Sequence, residues 1–415
     1  MINSVYRPGY DTMAPYIMDF KTLGDTGLEL SFSEELQHPV NWNHLFELNN
    51  TQPDTVIAID DNHTSFVLNF DFPFPDTNTL LIKNINDVCG NIVSDSTITF
   101  YYREGEMYDI LITEIMADPS PVVGLPEIEY IEIYNSSKND LDIEGWKLSI
   151  NNNVITLPDY ELKNNEYLIL TDSENEVLID SSWNFLLLDN LPALPNSGGE
   201  IILKNKKNKF IHGMRYYPSL HEEIKQSGGW SIELLYLNHP CMVDDNWRSS
   251  GSPSGGTPSA INAVQLPENS FSPAIKRIEI KDDSLLAIYF THSIPEIVRG
   301  SYHFFKVIPG MDFPEEIMFM DSLYTSIALK FNNPFTRGIL YRLEMIRDIT
   351  TCTGEVLEFA CADEFTLPYH PEPNELVINE ILFNPVAEGY DFIEIYNKTD
   401  KTFDAADMYL SKRDE

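Results

Sequence analysis

Apolar and polar residues alternate in short runs along most of the chain. Leu28, Leu30 and Phe32 are separated by Glu29 and Ser31, and Leu286, Ile288 and Phe290 follow the same pattern. Ile131 and Ile133 fall on one side of a run whose other side carries Tyr130, Glu132 and Tyr134. Alternation of period two marks a strand with one face on a core. Trp146–Ile150, Val154–Leu157, Tyr167–Leu170, Glu200–Leu203 and Ser231–Leu234 read as further strands, divided by NNN, KNN, NSGG and KNKKN, all turn chemistry. Helical periodicity is weak. Only HEEIK after Leu220 and ENEVLIDSSW after Ser173 offer a turn of helix. Short strands with turns roughly every eight to twelve residues predict an all-β chain of β-sandwiches.

The pattern is written more than once. PYIMDFKTLGDTGLELSFSEEL from Pro15 aligns without a gap on PAIKRIEIKDDSLLAIYFTHSI from Pro273, an offset of 258. SFVLNFDFPF at Ser65 matches SIALKFNNPF at Ser326, and Phe70, Phe74 and Asp87 match Phe331, Phe335 and Asp348 at offset 261. The five residues IEIYN occur as Ile131–Asn135 and again as Ile393–Asn397. ITEIMADP and INEILFNP, anchored on Glu114 and Glu380, precede them. A composite unit of about 260 residues is therefore present about one and a half times. The expected division is a tail at 1–12, one kind of module at 13–104 and again at 264–370, and a second kind at 107–263 that starts again at 371–415. The last copy reads as truncated, so the expectation is a fragment of a longer protein. RSSGSPSGGTPSAIN, from Arg248, and PYHPEPNE, from Pro368, read as linkers, the first ordered in part by Trp247. Pro-rich joints would act as stiff spacers.

The second kind of module resembles the lamin tail domain, an immunoglobulin-like sandwich. The resemblance rests on ILITEIMADP, EYIEIYNSS, LDIEGWKLS, LPNSGGEIILKN, WSIELL and the closing NW with GGTPSAIN, in the family's order. Residues 371–415 carry the first three elements, with Met408 for Trp146 and Asp407 for Gly145. The other module resembles the bacterial Ig-like domain of the surface-layer type, on AP followed by LELSFSEEL, then NINDVCGN and the closing ITFYY. Its second copy diverges, with FTHSI and RDITTCTGE. These resemblances imply tandem Ig-like β-sandwiches in the order Ig-like, lamin-tail, Ig-like, truncated lamin-tail. They also imply a non-enzymatic spacer or adhesive segment of a secreted or cell-surface bacterial protein. The alternative is an accessory glycan- or calcium-binding region of a secreted multidomain hydrolase.

Charge narrows the partners. The 415 residues hold 65 acidic and 27 basic side chains, a net charge of −38. Such a surface repels the phosphates that nucleic-acid binding must neutralise, and repels anionic membranes. A cell-surface protein or a glycan remains as partner. No apolar run approaches a membrane span, and no basic segment followed by an apolar run opens MINSVYRPGYDTM. The cysteines are Cys89, Cys241, Cys352 and Cys361, with no CxxC pair. Cys352 and Cys361 could bridge a hairpin in an oxidising compartment, or stay buried thiols.

No HExxH, G-x-S-x-G, P-loop or G-x-G-x-x-G occurs. No enzyme and no cofactor are therefore expected. Asp87 and Asp348, at turns of D-x-x-G-N type, are calcium candidates, since a hard cation takes carboxylate oxygens. An Asx-turn is the commoner use of such residues. Glu114, Glu132, Glu380 and Glu394 sit among apolar neighbours. Adjacent strands would bring each pair of carboxyls together and raise a pKa, a setting for proton transfer or a metal. Their repetition with the module favours structural acids that accept hydrogen bonds from amides or tyrosines. Trp42, Trp146, Trp183, Trp230 and Trp247 read as core filling before sugar stacking. KNKKNK, from Lys204, reads as a solvated hairpin tip.

Overall fold

A computed structural model describes residues 11–39, 41–93, 95–243, 245–267, 271–300, 303–359, 363–385, 389–405 and 408–411. The chain is all-β and built from tandem Ig-like sandwiches, with 3-10 turns as the helical elements among the described residues. It divides into two compact units, Met1–Gly105 and Glu106–Glu415.

In the first unit a four-stranded antiparallel sheet runs in the order Ile17–Leu23, Gly27–Phe32, Ser65–Asn69, Thr55–Ala58. A three-stranded sheet joins Phe46–Leu48, Thr77–Ile82 and Ser96–Tyr101. Leu28, Leu30, Phe32, Phe46, Phe66, Leu68 and Leu80 close the core. Each such side chain contributes about 1.5–3 kcal/mol by leaving water. The intervening Glu29 and Ser31 stay half-exposed, as the alternation requires.

In the second unit the lamin-tail-like region comes first. A six-stranded sheet runs Phe185–Leu188, Tyr167–Asp172, Tyr130–Asn135, Ile110–Met116, Ile232–Leu234, Trp247–Ser249. It faces a four-stranded sheet of Asn153–Thr156, Lys147–Ile150, Gly199–Lys204 and Phe210–Tyr216. Ile112, Ile131, Ile133, Trp146, Leu148, Ile201, Leu203 and Trp247 share one core. KNKKNK forms the turn between Gly199–Lys204 and Phe210–Tyr216. ENEVL becomes the 3-10 turn Ser173–Leu178, capped by Asp172. HEEIK yields only the short 3-10 turn Glu223–Lys225.

Residues 274–365 repeat the first unit's strand order. Glu316–Phe319, Ser326–Lys330, Leu285–Phe290 and Ala274–Ile280 make the larger sheet, with Glu358–Phe359 added in parallel. Phe305–Ile308, Tyr341–Met345 and Glu364–Phe365 make the smaller. Even the irregularities recur: a bulge falls between Ile17 and Asp19 in one copy and between Ile275 and Arg277 in the other. The hairpin Leu376–Leu382 with Phe392–Asn397 reproduces Ile110–Met116 with Tyr130–Asn135, bulge included, at Ile378/Glu380 and Ile112/Glu114. The last residue of IEIYN has a reason to repeat. Asn135 Oδ1 accepts from Ser137 N–H and its Nδ2 donates to Asn139 O, and Asn397 does the same with Thr399 and Lys401.

Two expectations need correction. Cys352 does not pair with Cys361, which lies outside the described residues. It is bonded to Cys241, 111 positions earlier, with Cα atoms 5.9 Å apart. The fold brings the turn before Trp247 against the Thr350–Gly354 turn, a proximity that sequence spacing cannot show. Leu323, fully buried, packs with Ile202, Phe210 and Val243 beside the disulfide. It lies against Gly213, where a Cβ would collide with it. Ser293 N–H donates to Cys241 O at 2.7 Å, and Arg215 Nη2 lies 3.4 Å from Asp321 Oδ1. The segment from Arg248 is not a free linker either. Its residues return over the six-stranded sheet and bond to it, as the next section describes.

The oxidised chain should unfold residues 106–367 in a single calorimetric transition. Cys352→Ser should split it and destabilise this region by about 2–4 kcal/mol. One unchanged transition in the variant would count against this coupling.

Candidate functional site

The six-stranded sheet is buried on both faces. Every residue of Ile110–Met116 is buried, and Tyr130 to Ile133 are too. One face holds the isoleucines of the core. The other holds Glu114, Glu132 and Glu233, each fully buried. Register explains the row: Glu114 is paired with Glu132 on one side and with Glu233 on the other. Three carboxyls therefore stand side by side on three adjacent strands.

Burying a carboxylate is costly unless donors replace water. The donors come from the returning Gly/Ser/Pro segment. Thr257 N–H donates to Glu114 Oε1 at 2.9 Å, and Thr257 Oγ1–H reaches Glu114 Oε2 at 3.1 Å and Glu233 Oε1 at 3.0 Å. Ser259 N–H donates to Glu132 Oε2 at 2.7 Å, and Val264 N–H to Glu233 Oε2 at 3.0 Å. From the sheet itself, Tyr130 Oη–H donates to Glu114 Oε1 and Thr113 Oγ1–H to Glu132 Oε1, both at 2.6 Å. Asn262 Nδ2 closes the segment on Thr113 O and Leu234 O. Gly256 has no room for a side chain, because a Cβ there would collide with Glu114 Oε1 and Tyr130 Oη.

Burial, and then the charge of Glu233, push the Glu114 pKa up to about 7. Burial, then Glu114, push Glu132 well above the carboxylate range. Glu132 accepts from Thr113 Oγ1 and Ser259 N, fewer donors than Glu114 has. Segment 250–264 covers the row and excludes a substrate, so the geometry is that of a pinned cover. Glu233 was not singled out from the sequence. Its signal was present in WSIELL, where Ile232 and Leu234 flank it as Ile131 and Ile133 flank Glu132.

The matching Glu380 and Glu394 are register partners in the last hairpin, but both are exposed. Glu394 accepts from Asn379 Nδ2. The calcium candidates separate as well. Asp348 is exposed. Asp87 is buried, and one carboxylate oxygen each from Asp11, Glu34 and Asp87 lie within 4.8 Å of one another. Asp87 Oδ1 accepts from Cys89 N–H and Asn91 N–H, and Oδ2 from Asn91 Nδ2. Burial raises the Asp87 pKa, and these bonds outweigh it and hold it low. Burial, then Asp11 and Asp87, push Glu34 up. The grouping of Asp11 and Glu34 with Asp87 had no signature in spacing. Trp146 and Trp247 fill the core, Trp42 and Trp183 pack half-buried against theirs, and Trp230 lies under Lys225 Nζ at 4.6 Å.

The family model of the Lamin Tail Domain matches residues 106–218. The chain contains a lamin tail domain there, and the strands Ile232–Leu234 and Trp247–Ser249 complete its larger sheet. No curated protein matches the chain. Among solved structures, the N-terminal part of the bacterial S-layer protein SbsC is 10% identical over 49% of this chain and 44% of that one, with a TM-score of 0.27. A longer S-layer protein rSbsC structure is 8% identical over 93% and 63%, with a TM-score of 0.21. The Bacteroides ovatus SGBP-B of a mixed-linkage glucan utilization locus, in complex with a mixed-linkage heptasaccharide, is 11% identical over 86% and 69%, with a TM-score of 0.15. The chain spans less than two thirds of either S-layer structure. At these TM-scores the likeness carries no argument.

A raised carboxyl pKa means that the folded state binds more protons than the unfolded chain, so stability falls as pH rises through the folded value. For Glu114 the contribution is full below about pH 4.5 and lost through about pH 7, on the order of 3 kcal/mol. His212 and His292, held near pKa 4 by burial, act in the opposite sense, and their contribution is complete above about pH 6.5. Above about pH 6.5 the histidines no longer offset the loss, which belongs to Glu114 up to about pH 7 and to Glu132 beyond it, so denaturant titrations should show stability falling as pH rises past about 6.5. Glu132→Gln should flatten that slope and exceed the parent by about 1–3 kcal/mol at the upper end. An unaltered slope would refute the assignment.

Proposed function

We propose that this chain is a non-enzymatic structural segment of a secreted or cell-surface protein. In this reading the lamin tail domain and the Ig-like sandwich after it act as one covalently clamped strut. The observation that carries it is the Cys241–Cys352 bond together with Leu323 seated against Gly213. A disulfide of this kind persists in an oxidising, extracytoplasmic setting. No described helix is long and apolar enough to cross a membrane. The modules proposed are 13–104 and 264–370 as Ig-like domains, 107–263 as the lamin tail domain, and 371–415 as the opening hairpin of a second one. Adhesion to a surface protein or glycan would be a further use of the same strut.

Force spectroscopy tests the clamp. The bond bridges two cysteines 111 positions apart, and a pull on the termini cannot extend the chain between them while it is intact. Reduction, or Cys352→Ser, should add roughly 370–400 Å of released length. Equal lengths with and without reductant would refute the strut.

Calcium at Asp11, Glu34 and Asp87 is a second reading, favoured by the convergence of three carboxylate oxygens. Calorimetric titration of the full chain with calcium should then give one saturable site. It should weaken on acidification, as Glu34 takes up its proton, and vanish in Asp87→Asn. A flat titration would exclude it.

A further inference from the structure

Two histidines 25 positions apart meet on the first unit. His38 Nε2 lies 2.7 Å from His63 Nε2, with the ring centroids 4.0 Å apart and the ring planes 75° from parallel. His38 is exposed and His63 half-buried, so solvent reaches the pair. Two imidazole nitrogens this close either share one proton or offer both lone pairs to a cation.

The rings are held in place by their surroundings. Trp42, packed on Phe66 at 4.6 Å, lies 5.3 Å from the His38 ring and stacks on His63 at 6.1 Å. His63 sits in a turn closed by Asp60, whose Oδ1 accepts from Thr64 N–H at 2.9 Å and Ser65 N–H at 3.0 Å. His63 O accepts from Leu36 N–H at 3.3 Å, which ties this turn to the segment that carries His38.

The internal repeat separates scaffold from addition. In the second Ig-like copy Asp321 Oδ1 accepts from Thr325 N–H in the same turn, and Ile294 N–H donates to Tyr324 O. His63 and Tyr324 share a left-handed backbone, with φ 50° and 59°. The turn therefore forms equally well without a histidine. At the offset of 258, Glu296 stands where the first copy has His38. A scaffold feature returns with its module, and this pair does not, which points to a use of its own.

Geometry selects the ligand. Metal–imidazole bonds of about 2.0–2.1 Å place two nitrogens about 2.9 Å apart at a right angle and about 3.3 Å apart at the tetrahedral angle. The right-angled, square-planar or tetragonal arrangement asks the rings to part by only about 0.2 Å. Divalent nickel and copper adopt it and suit imidazole, whereas calcium takes oxygen ligands. A net charge of −38 raises the concentration of cations near the surface.

We propose that His38 and His63 form a two-nitrogen site for a divalent late transition metal of the nickel and copper class, with Trp42 as its wall and water on the open positions. This goes beyond the strut and the calcium reading and depends on neither.

Titration of the full chain with Ni²⁺ tests it, followed by calorimetry and tryptophan fluorescence in excess Mg²⁺, which occupies exposed carboxylates. Nickel is preferred to copper, which oxidises thiols such as the exposed Cys89. One Ni²⁺ should bind saturably and quench Trp42. Binding should weaken on acidification, because protons compete for the nitrogens. His38→Ala and His63→Ala should each weaken it about tenfold or more, since the second nitrogen is already held beside the first. His38 is exposed, so its variant keeps the test valid if His63→Ala disturbs the turn. Trp42→Phe should lose the quench and still bind. Asp87→Asn, Cys89→Ser and Cys352→Ser should leave nickel binding unchanged, which separates this site from the calcium reading and from the clamp. The proposal falls if no nickel binds, if either histidine variant binds as the parent does, if the quench survives in Trp42→Phe, or if Asp87→Asn or Cys89→Ser removes the binding.

Discussion

A carboxylate cannot stay in a dry interior without donors, and three of them in a row need many. That requirement organises the lamin tail domain. Glu114, Glu132 and Glu233 stand on neighbouring strands, and the amides of Thr257, Ser259 and Val264 come down onto them. A segment rich in Gly, Ser and Pro, with little apolar surface of its own, is thereby held on the sheet by polar contacts. Its small residues are part of the same solution, because at Gly256 a side chain would displace the carboxylate it covers. Both faces of the sheet end up dry, one through isoleucines and the other through a proton-sharing row of acids.

The last hairpin shows the same local rules without that cover. Strand pairing, bulge position and the Asn-closed turn return residue for residue. Burial does not. Ile378, Ile381, Ile393 and Ile395 are between 42% and 55% exposed, whereas Ile112, Ile131 and Ile133 are fully buried. Register and turn chemistry are therefore local properties of this sequence, and the core is a property of the whole sandwich.

The junction between the lamin tail domain and the following sandwich has a mechanical logic. One glycine, Gly213, makes the hollow that Leu323 occupies, and the disulfide beside it prevents the two from parting. Force applied along the chain would bypass the enclosed residues. Two sandwiches with separate cores become one element over this stretch, in place of beads spaced by a linker.

Much of this was legible in the residues themselves. Alternation located the strands, since a one-residue slip would turn Leu28, Leu30 and Phe32 outward. The internal repeat anticipated the recurring strand order, and Glu114 and Glu132 announced themselves as acids in apolar strands. Their third partner, the donors that neutralise them, the pairing of Cys241 with Cys352 and the company of Asp87 were decided only by the tertiary structure. Local pattern follows from backbone geometry over a few residues, where spacing is a faithful guide. Contacts such as Glu114 with Thr257, 143 positions apart, depend on how whole sheets stack and where loops return.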